Sequence, residues 1–279
     1  MRIKSQAVQF CLTFLFVCLS CEPLFCNTYN TNISQEYLLP EDHPFQDKLK
    51  SLFTDKKMFS STKNFKKAGF ETMKRDSRNS LMVAKHPSIG NYLFKKHKDY
   101  ISHHEQLVNY LTRISGARAL SDFIGSKNLQ HILTPKKWLY LLPKEFSDPI
   151  TNEKSYILIV EDMDIYSGGK DPKGDVARKY YNIDLNILKE LCVVLIHFRG
   201  LDSRLHNVPL TRSGKIAFID TECWEEEERE GFMTYILPFL SKVRKKYVKS
   251  VYQELKISPV PYSYSPFDQN FALCTIRLI

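Results

Sequence analysis

The sequence predicts an α+β fold in which a small antiparallel sheet precedes a mostly helical second half. Short apolar runs bounded by turn residues lie between residues 80 and 160, and only one amphipathic stretch interrupts them. From residue 182 onward the apolar positions follow helical spacing, apart from one short strand. Strands followed by helices are typical of α+β proteins. We therefore expect two lobes, joined near residues 161–170.

The strands are predicted from composition and turn signals. The runs SLMVAK and NYLFKK flank HPSIG, whose Pro87 and Gly90 are turn residues, and this favours a hairpin. WLYLL and YILIV indicate two further strands. Between the two pairs, His104–Ile124 has the three-four apolar spacing of an amphipathic helix, with a break at Gly116.

The second half of the sequence is predicted to be mainly helical. Asn182–Phe198 is apolar around most of a helical circumference, which is typical of a core helix. Asn182 is a suitable cap for its start and Gly200 for its end. Residues 232–255 also have helical character, interrupted or begun near Pro238.

The first residues have the pattern of an export signal. Arg2 and Lys4 precede the apolar run Ala7–Leu19, so residues 1–26 are predicted to be a signal peptide, too short for a comfortable membrane span. We expect an exported protein, periplasmic or secreted, without a stable membrane span after leader removal. The box Cys18–Cys21 leaves lipoprotein processing open. Residues 27–79 are predicted to be a linker with a helical extension, including a helix at Phe45–Phe53.

Charge and cysteine content exclude several function classes. The net charge of +9 is scattered along the chain and no nucleic-acid-binding motif accompanies it, so we expect no nucleic-acid partner. Of the seven cysteines, four lie in or beside the leader. The other three, Cys192, Cys223 and Cys274, are too widely spaced for a disulfide framework or a zinc site.

The most informative stretch is GLDSRLHNVPLTRSGKIAFIDTECW, which begins at Gly200. Ser213-Gly214 is a turn followed by a short apolar strand, so a hairpin would bring Asn207 and Asp220 together. An amide and a carboxylate side by side can hold Mg²⁺, and Asp202 could accept a proton from an attacking hydroxyl. The alternative is a hairpin with polar ends, in which Asp202 is only a loop carboxylate beside basic residues.

The spacing of these residues resembles that of a known fold. Asp202 and Asn207 are five residues apart, and Asn207 and Asp220 thirteen. In protein kinases, the catalytic Asp of the H-R-D-L-x-x-x-N loop precedes the Asn of that loop by five residues, and this Asn precedes the Asp of the D-F-G element. The two intervals in the present sequence resemble these kinase intervals. GKIAFIDTE is also similar to the metal-binding strand of aminoglycoside phosphotransferases and phosphoinositide kinases. Together with KHPSIGNYLFKK, it resembles patterns shared by a family of bacterial proteins, many from intracellular bacteria.

The resemblance implies a two-lobed kinase-like plan, with an N-lobe at residues 80–164 and a truncated helical C-lobe at 165–279. It implies ATP and Mg²⁺ as cofactors. Asp202 would then be the catalytic residue, and Asn207 and Asp220 the metal ligands. Nucleotide binding would involve Lys95, or its rival Lys85, for the phosphates, Glu105 as the lysine's partner, and Glu161 and Met163 at the adenine.

The sequence also departs from the kinase pattern. Gly200-Leu201 stand in place of His-Arg, Thr221-Glu222 follow Asp220 in place of Phe-Gly, and no G-x-G-x-x-G loop is present. An inactive pseudokinase is therefore the alternative, acting as a secreted binding or scaffold module on a protein partner, for instance one in a host cell. A third interpretation is a different α+β fold with this spacing by chance. The acceptor of an active kinase is not indicated.

Overall fold

The computed structural model describes residues 33–73, 81–97, 101–147, 154–166, 174–222, 224 and 235–257. The predicted signal peptide lies outside these residues. The described residues from Gln35 onward belong to one compact unit. They form an α+β structure with a small antiparallel sheet and several helices, as the sequence predicted. In the described part of the chain, no helix combines the length and the apolar character needed to cross a membrane.

In the first half of the chain, two helices precede three strands, and a third helix separates these from three further strands. The strands are β1 (Glu71–Thr72), β2 (Leu81–His86), β3 (Ile89–His97), β4 (Ile132–Leu133), β5 (Lys137–Leu141), β6 (Tyr156–Glu161) and β7 (Ile216–Ala217). The helices are α1 (Gln46–Leu52), α2 (Thr62–Lys67), α3 (His103–Ser126), α4 (Asp175–Tyr181), α5 (Leu185–His197) and α6 (Lys242–Ile257).

The main sheet has the order β1-β2-β3-β6-β5, and every neighbouring pair is antiparallel. The predicted β2–β3 hairpin is present, but Gly90 lies inside β3, because Pro87 and Ser88 alone make the turn. Strand β6 lies between β3 and β5. Its residues Tyr156–Val160 are all buried, because α3 packs on β5 and β6 and a second layer covers the sheet.

That second layer is the segment before the sheet. Tyr37 and Leu39 are buried, and the Leu39 N–H donates to the Leu139 carbonyl at 2.8 Å. One face of the sheet carries a cluster of buried side chains, including Phe94, Ile157 and Ile159, which we call the first hydrophobic cluster. Phe53, at the end of α1, and Phe65, within α2, belong to it. The helix predicted at Phe45–Phe53 is therefore present, whereas α2 was not predicted, because residues 56–79 show no apolar period.

Helix α3 is continuous from Ser102, whose hydroxyl accepts the Glu105 N–H and caps the first turn. The expected break at Gly116 was wrong. A Cβ at Gly116 would lie 2.1 Å from the Thr221 carbonyl oxygen, so the glycine allows a close approach of another segment and does not end the helix.

The second hydrophobic cluster belongs to the helical half. It contains the last turns of α3, with Leu120 and Phe123, and residues of α4, α5 and α6. The predicted core helix is α5, but Asp184 caps its start, since its side chain accepts the Asn186 N–H. Asn182 instead ends α4, a helix that the sequence analysis missed.

Candidate functional site

The stretch that follows α5 forms the predicted hairpin. The Ile219 N–H donates to the Asn207 carbonyl at 3.0 Å, and the Ala217 N–H donates to the Pro209 carbonyl at 2.9 Å. Gly214 closes the turn with φ of +81°, a conformation that favours glycine. Asn207 and Asp220 therefore lie at the same end of the hairpin, as the spacing predicted.

Asp220 belongs to a cluster of five ionisable side chains from four parts of the chain. We call it the charge cluster: Lys95 of β3, Arg113 of α3, Lys137 of β5, and Asp220 and Glu222 after the hairpin. Arg113 joins the two acids, because its Nη1 lies 2.7 Å from Asp220 Oδ1 and its Nη2 donates to Glu222 Oε2. The cluster thus ties α3 to the end of the hairpin.

The cations of the charge cluster are more deeply buried than its acids. Lys95, Arg113 and Lys137 are 3%, 7% and 4% exposed, whereas the side chains of Asp220 and Glu222 are 27% and 43% exposed. Solvent therefore reaches the carboxylates more readily than the cations.

Burial and mutual charge change the acidity of two members of the cluster. Loss of hydration lowers the pKa of Lys137 well below its ordinary value, and the positive charge of Lys95 lowers it further, against the opposing effect of Asp220. Loss of hydration also raises the pKa of Glu222, against the opposing effect of Arg113. Because Lys95 acts on the pKa of both residues, it belongs to the same electrostatic unit as Asp220.

Thr221 connects three segments of the charge cluster through hydrogen bonds. Its side chain is fully buried, its hydroxyl donates to the Arg113 carbonyl at 2.7 Å, and the hydroxyl accepts from Lys137 Nζ at 2.8 Å. One hydroxyl thereby connects α3, β5 and the segment that carries Asp220. Gly116 permits this close contact, as described above.

Asp202 lies in the loop after α5, as predicted. Its Oδ1 accepts the Arg204 N–H at 3.0 Å, and its Oδ2 lies 3.4 Å from Arg204 Nη1. The carboxylate is therefore engaged within its own loop, with a side chain that is 21% exposed.

The two candidate phosphate lysines have different surroundings. Lys85 of β2 forms an ion pair with Asp162, the residue after β6. Lys95 is buried in the charge cluster. Lys95 therefore shares its surroundings with Asp220, whereas Lys85 does not.

The remaining predicted residues lie outside the charge cluster. Glu105 is exposed in the first turn of α3, and its buried neighbour Gln106 accepts a hydrogen bond from Lys96. Glu161 closes β6, where its N–H donates to the Lys136 carbonyl at 3.0 Å. Met163 follows, half-buried.

Sequence reasoning missed Arg113, Lys137 and Thr221. A signal for Arg113 was present, because it lies on the apolar stripe of α3, three residues after Tyr110 and one before Ile114. A charged residue on such a stripe needs a buried partner. Neither the partner nor the role of Thr221 can be obtained from helical spacing.

Two residues at this end of the hairpin carry oxygen atoms in their side chains. Asp220 has a carboxylate and Asn207 an amide, and oxygen atoms are the ligands that Mg²⁺ prefers in proteins. A carboxylate has about four acceptor positions, so the bond from Arg113 does not saturate Asp220. Within the described ranges, no group of three or more His, Cys, Asp or Glu side chains could hold a metal ion.

A separate cavity of about 620 Å³ lies beside the turn of the hairpin, lined in part by Tyr166, Lys179, Arg212 and Gly214. Gly214 is at the opposite end of the hairpin from Asn207 and Asp220, so this cavity is distinct from the charge cluster.

Comparison with models of known protein families and with curated proteins gave no match to this chain.

Proposed function

We propose that the protein is an atypical kinase-like phosphotransferase, which binds the phosphates of ATP at the charge cluster and transfers the terminal phosphoryl group to an acceptor hydroxyl. The observation that supports this most directly is the convergence of Lys95 and Asp220. The two residues are 125 positions apart in the sequence. Asp220 bonds Arg113 at 2.7 Å, the next residue Thr221 accepts a hydrogen bond from Lys137 at 2.8 Å, and the charges of both Lys95 and Asp220 shift the pKa of Lys137. Asn207 begins the hairpin that Asp220 ends.

The order of the elements supports a two-lobed kinase-like plan. Helix α3 lies between β3 and the last two strands of the main sheet, and the residues after β6 lead into the helical half. Each half has its own cluster of buried side chains. In this plan Glu161 and Met163 border the adenine, at the link between the lobes.

The proposal assigns a role to each of four candidate residues. Lys95 neutralises phosphate charge inside a poorly hydrated site, where electrostatic stabilisation is strong. Asp202 orients the acceptor hydroxyl and accepts its proton. Asn207 and Asp220 would hold Mg²⁺, which when bound neutralises charge on the phosphates. Most of the catalytic effect would then come from positioning and charge.

Arg113 favours a second candidate function, that of a pseudokinase. Helix α3 presents a cation to this cluster where the kinase plan has a glutamate, and that cation already binds Asp220 and Glu222. Such a protein could bind nucleotide, or only a protein partner, without transferring phosphate. With the predicted leader, it would be an exported binding or scaffold module whose partner could lie in a host cell.

Nucleotide binding and phosphoryl transfer separate the two candidates. We expect ATP with Mg²⁺ to raise the Tm of the purified protein, because a ligand that binds only the folded state stabilises it. Lys95→Met should abolish the shift, whereas the matched change Lys85→Met should retain it. Transfer of labelled γ-phosphate to the protein itself or to a generic acceptor would identify an active phosphotransferase, provided that Asp220→Asn abolishes the transfer.

The outcomes differ clearly. A Tm shift without transfer would favour the pseudokinase. Equal loss of the shift in the Lys95 and Lys85 variants would remove the special role of Lys95. If ATP does not shift the Tm of the unmodified protein at any Mg²⁺ concentration, nucleotide chemistry at this site is wrong.

A further inference from the structure

Helix α6 carries far more basic than acidic residues. Its sequence, KVRKKYVKSVYQELKI, has six Lys and Arg residues and one acidic residue. Lys242, Lys246 and Lys249 are exposed and recur at helical spacing, so they lie along one stripe of the helix. Val248 and Val251 are buried on the opposite side, where α6 packs on α5. We call the three exposed lysines the lysine stripe.

The charges in the first turn of α6 oppose the usual preference of a helix. The free N–H groups make the start of a helix positive, so acidic residues are favoured there and cations are disfavoured. The first turn of α6 contains Lys242 and Arg244 and no acidic residue. Arg244 donates to the carbonyls of Asn182 and Ile183, whereas no carboxylate among the described residues pairs with the lysine stripe. Lys242 therefore weakens its own helix without a compensating ion pair in the described part of the chain.

Exposed apolar side chains lie beside the start of α6. The two hydrogen bonds of Arg244 fix the first turn of α6 to the connection between α4 and α5. Tyr181 ends α4 and Leu185 begins α5, and both side chains are exposed. Val243, in the first turn of α6, is 71% exposed. Exposed apolar side chains that are grouped, unlike scattered ones, mark a binding surface.

We propose that the lysine stripe and these three apolar side chains form a docking surface for an anionic lipid bilayer. The lysines complement the negative charge of the lipid headgroups, and the apolar side chains enter the boundary between headgroups and acyl chains. A nucleic acid would pair with the lysines but would gain nothing from exposed Val243 and Leu185, so the combination favours lipid. The inference is independent of the proposed function, because it uses no residue of the charge cluster.

The test is flotation of the purified protein with lipid vesicles. One set contains phosphatidylcholine with about one-third phosphatidylserine, and the other contains phosphatidylcholine alone. We expect binding to the anionic vesicles only, weakened by added salt. A lysine near an anionic bilayer contributes about fivefold in affinity, so the triple variant Lys242→Gln, Lys246→Gln, Lys249→Gln should bind about 100-fold more weakly. Val243→Ser should weaken binding several-fold without any change of charge.

The matched control removes the same charge from another helix. Lys63, Lys66 and Lys67 are exposed lysines of α2, and replacing all three by Gln should leave vesicle binding unchanged. Equal losses in the two triple variants would show that net charge alone drives binding, and would overturn the inference. Equal binding to both kinds of vesicle would also overturn it, because the apolar run Ala7–Leu19 could then account for the binding. A protein that binds soluble polyglutamate but neither kind of vesicle would place an acidic protein on this surface instead of lipid.

Thermal unfolding separates lost binding from lost folding. Lys242→Glu places an acid in the first turn of α6, so it should raise the Tm of the protein. The same change should weaken binding to the anionic vesicles more than Lys242→Gln does, because it adds repulsion. A lysine with only a structural role would lower the Tm and the binding together. If Lys242→Glu binds the anionic vesicles as tightly as the unmodified protein, the inference is wrong.

Discussion

His97, at the end of β3, is a buried histidine kept in its neutral form. It is 5% exposed, and neither ring nitrogen has a hydrogen-bond partner among the described residues. Its ring stacks on Tyr110, at 5.2 Å between centroids. Loss of hydration, together with the positive charges of Arg113 and Lys96, lowers the pKa of His97 to about 4. Protonation would place a third cation beside these two.

This lowered pKa predicts how stability depends on pH. Between the unfolded value of 6.5 and about 4, the unfolded chain binds a proton at His97 that the folded protein does not. Stability should therefore fall as pH falls through that range, by up to about 3 kcal/mol at about 1.4 kcal/mol per pKa unit. Urea unfolding at several pH values measures this slope.

The control for the pH slope is His97→Phe, which keeps an aromatic ring on Tyr110 but cannot titrate. Its stability should fall less steeply below pH 6.5 than that of the unmodified protein. Identical slopes in the two proteins would show that another group is responsible. Most Asp and Glu side chains take up protons near pH 4 and therefore contribute little to the slope at higher pH. The range from pH 6.5 to 5 is therefore the most informative for His97.

At the scale of elements, the contact between α3 and the residues after the hairpin is set by one glycine. A Cβ at Gly116 would lie 2.1 Å from the Thr221 carbonyl oxygen and 2.6 Å from Trp224 Cδ1. Gly116→Ala should therefore push α3 away from Thr221, at a cost of roughly 2–3 kcal/mol. Because Thr221 lies between the two acids of the charge cluster, the ATP-induced Tm shift should shrink as well.

Gly125 in the same helix provides the matched control. No heavy atom lies within 4 Å of a Cβ built there, so Gly125→Ala should stabilise the protein by up to about 1 kcal/mol through helix propensity alone. Thermal unfolding of the two variants compares them directly. A Gly116→Ala variant that is as stable as Gly125→Ala would mean that α3 does not approach Thr221 so closely.

The sequence predicted the elements whose signal is local. The hairpin that joins Asn207 to Asp220 depends on one turn and a short strand, and α5 on its own apolar spacing. Three kinds of feature could not be predicted this way. Helix α2 has no apolar period, β4 has only two residues, and the bonds of Arg113 span 107 and 109 positions of the sequence. Such long-range pairing depends on the packing of the whole chain.

At the scale of the whole molecule, two hydrophobic clusters lie within one compact unit. Helix α3 links them, because it packs on β5 and β6 and also contributes Leu120 and Phe123 to the second cluster. Arg113 of the charge cluster ties α3 to the end of the hairpin, and the Thr221 hydroxyl connects both to Lys137 of β5. A structure connected in this way should unfold in one cooperative step.

The two tryptophans of the chain can test this cooperativity, because they report on different clusters. Trp138 packs against the first hydrophobic cluster and Trp224 against the second. In single-tryptophan proteins, made with Trp224→Phe or Trp138→Phe, fluorescence should give the same urea midpoint. Phe53→Ala, in the first cluster, should lower both midpoints by the same amount, at a cost of about 3–5 kcal/mol.

Leu195→Ala, in the second cluster, is the reciprocal change and should also lower both midpoints, at a cost of about 2–5 kcal/mol. The coupling has a consequence for the site, because Lys95 comes from the sheet and Asp220 from the hairpin. If the halves unfold together, the charge cluster stays assembled until the whole protein unfolds. If Phe53→Ala shifts only the Trp138 transition, the halves are independent, and the charge cluster can open without global unfolding.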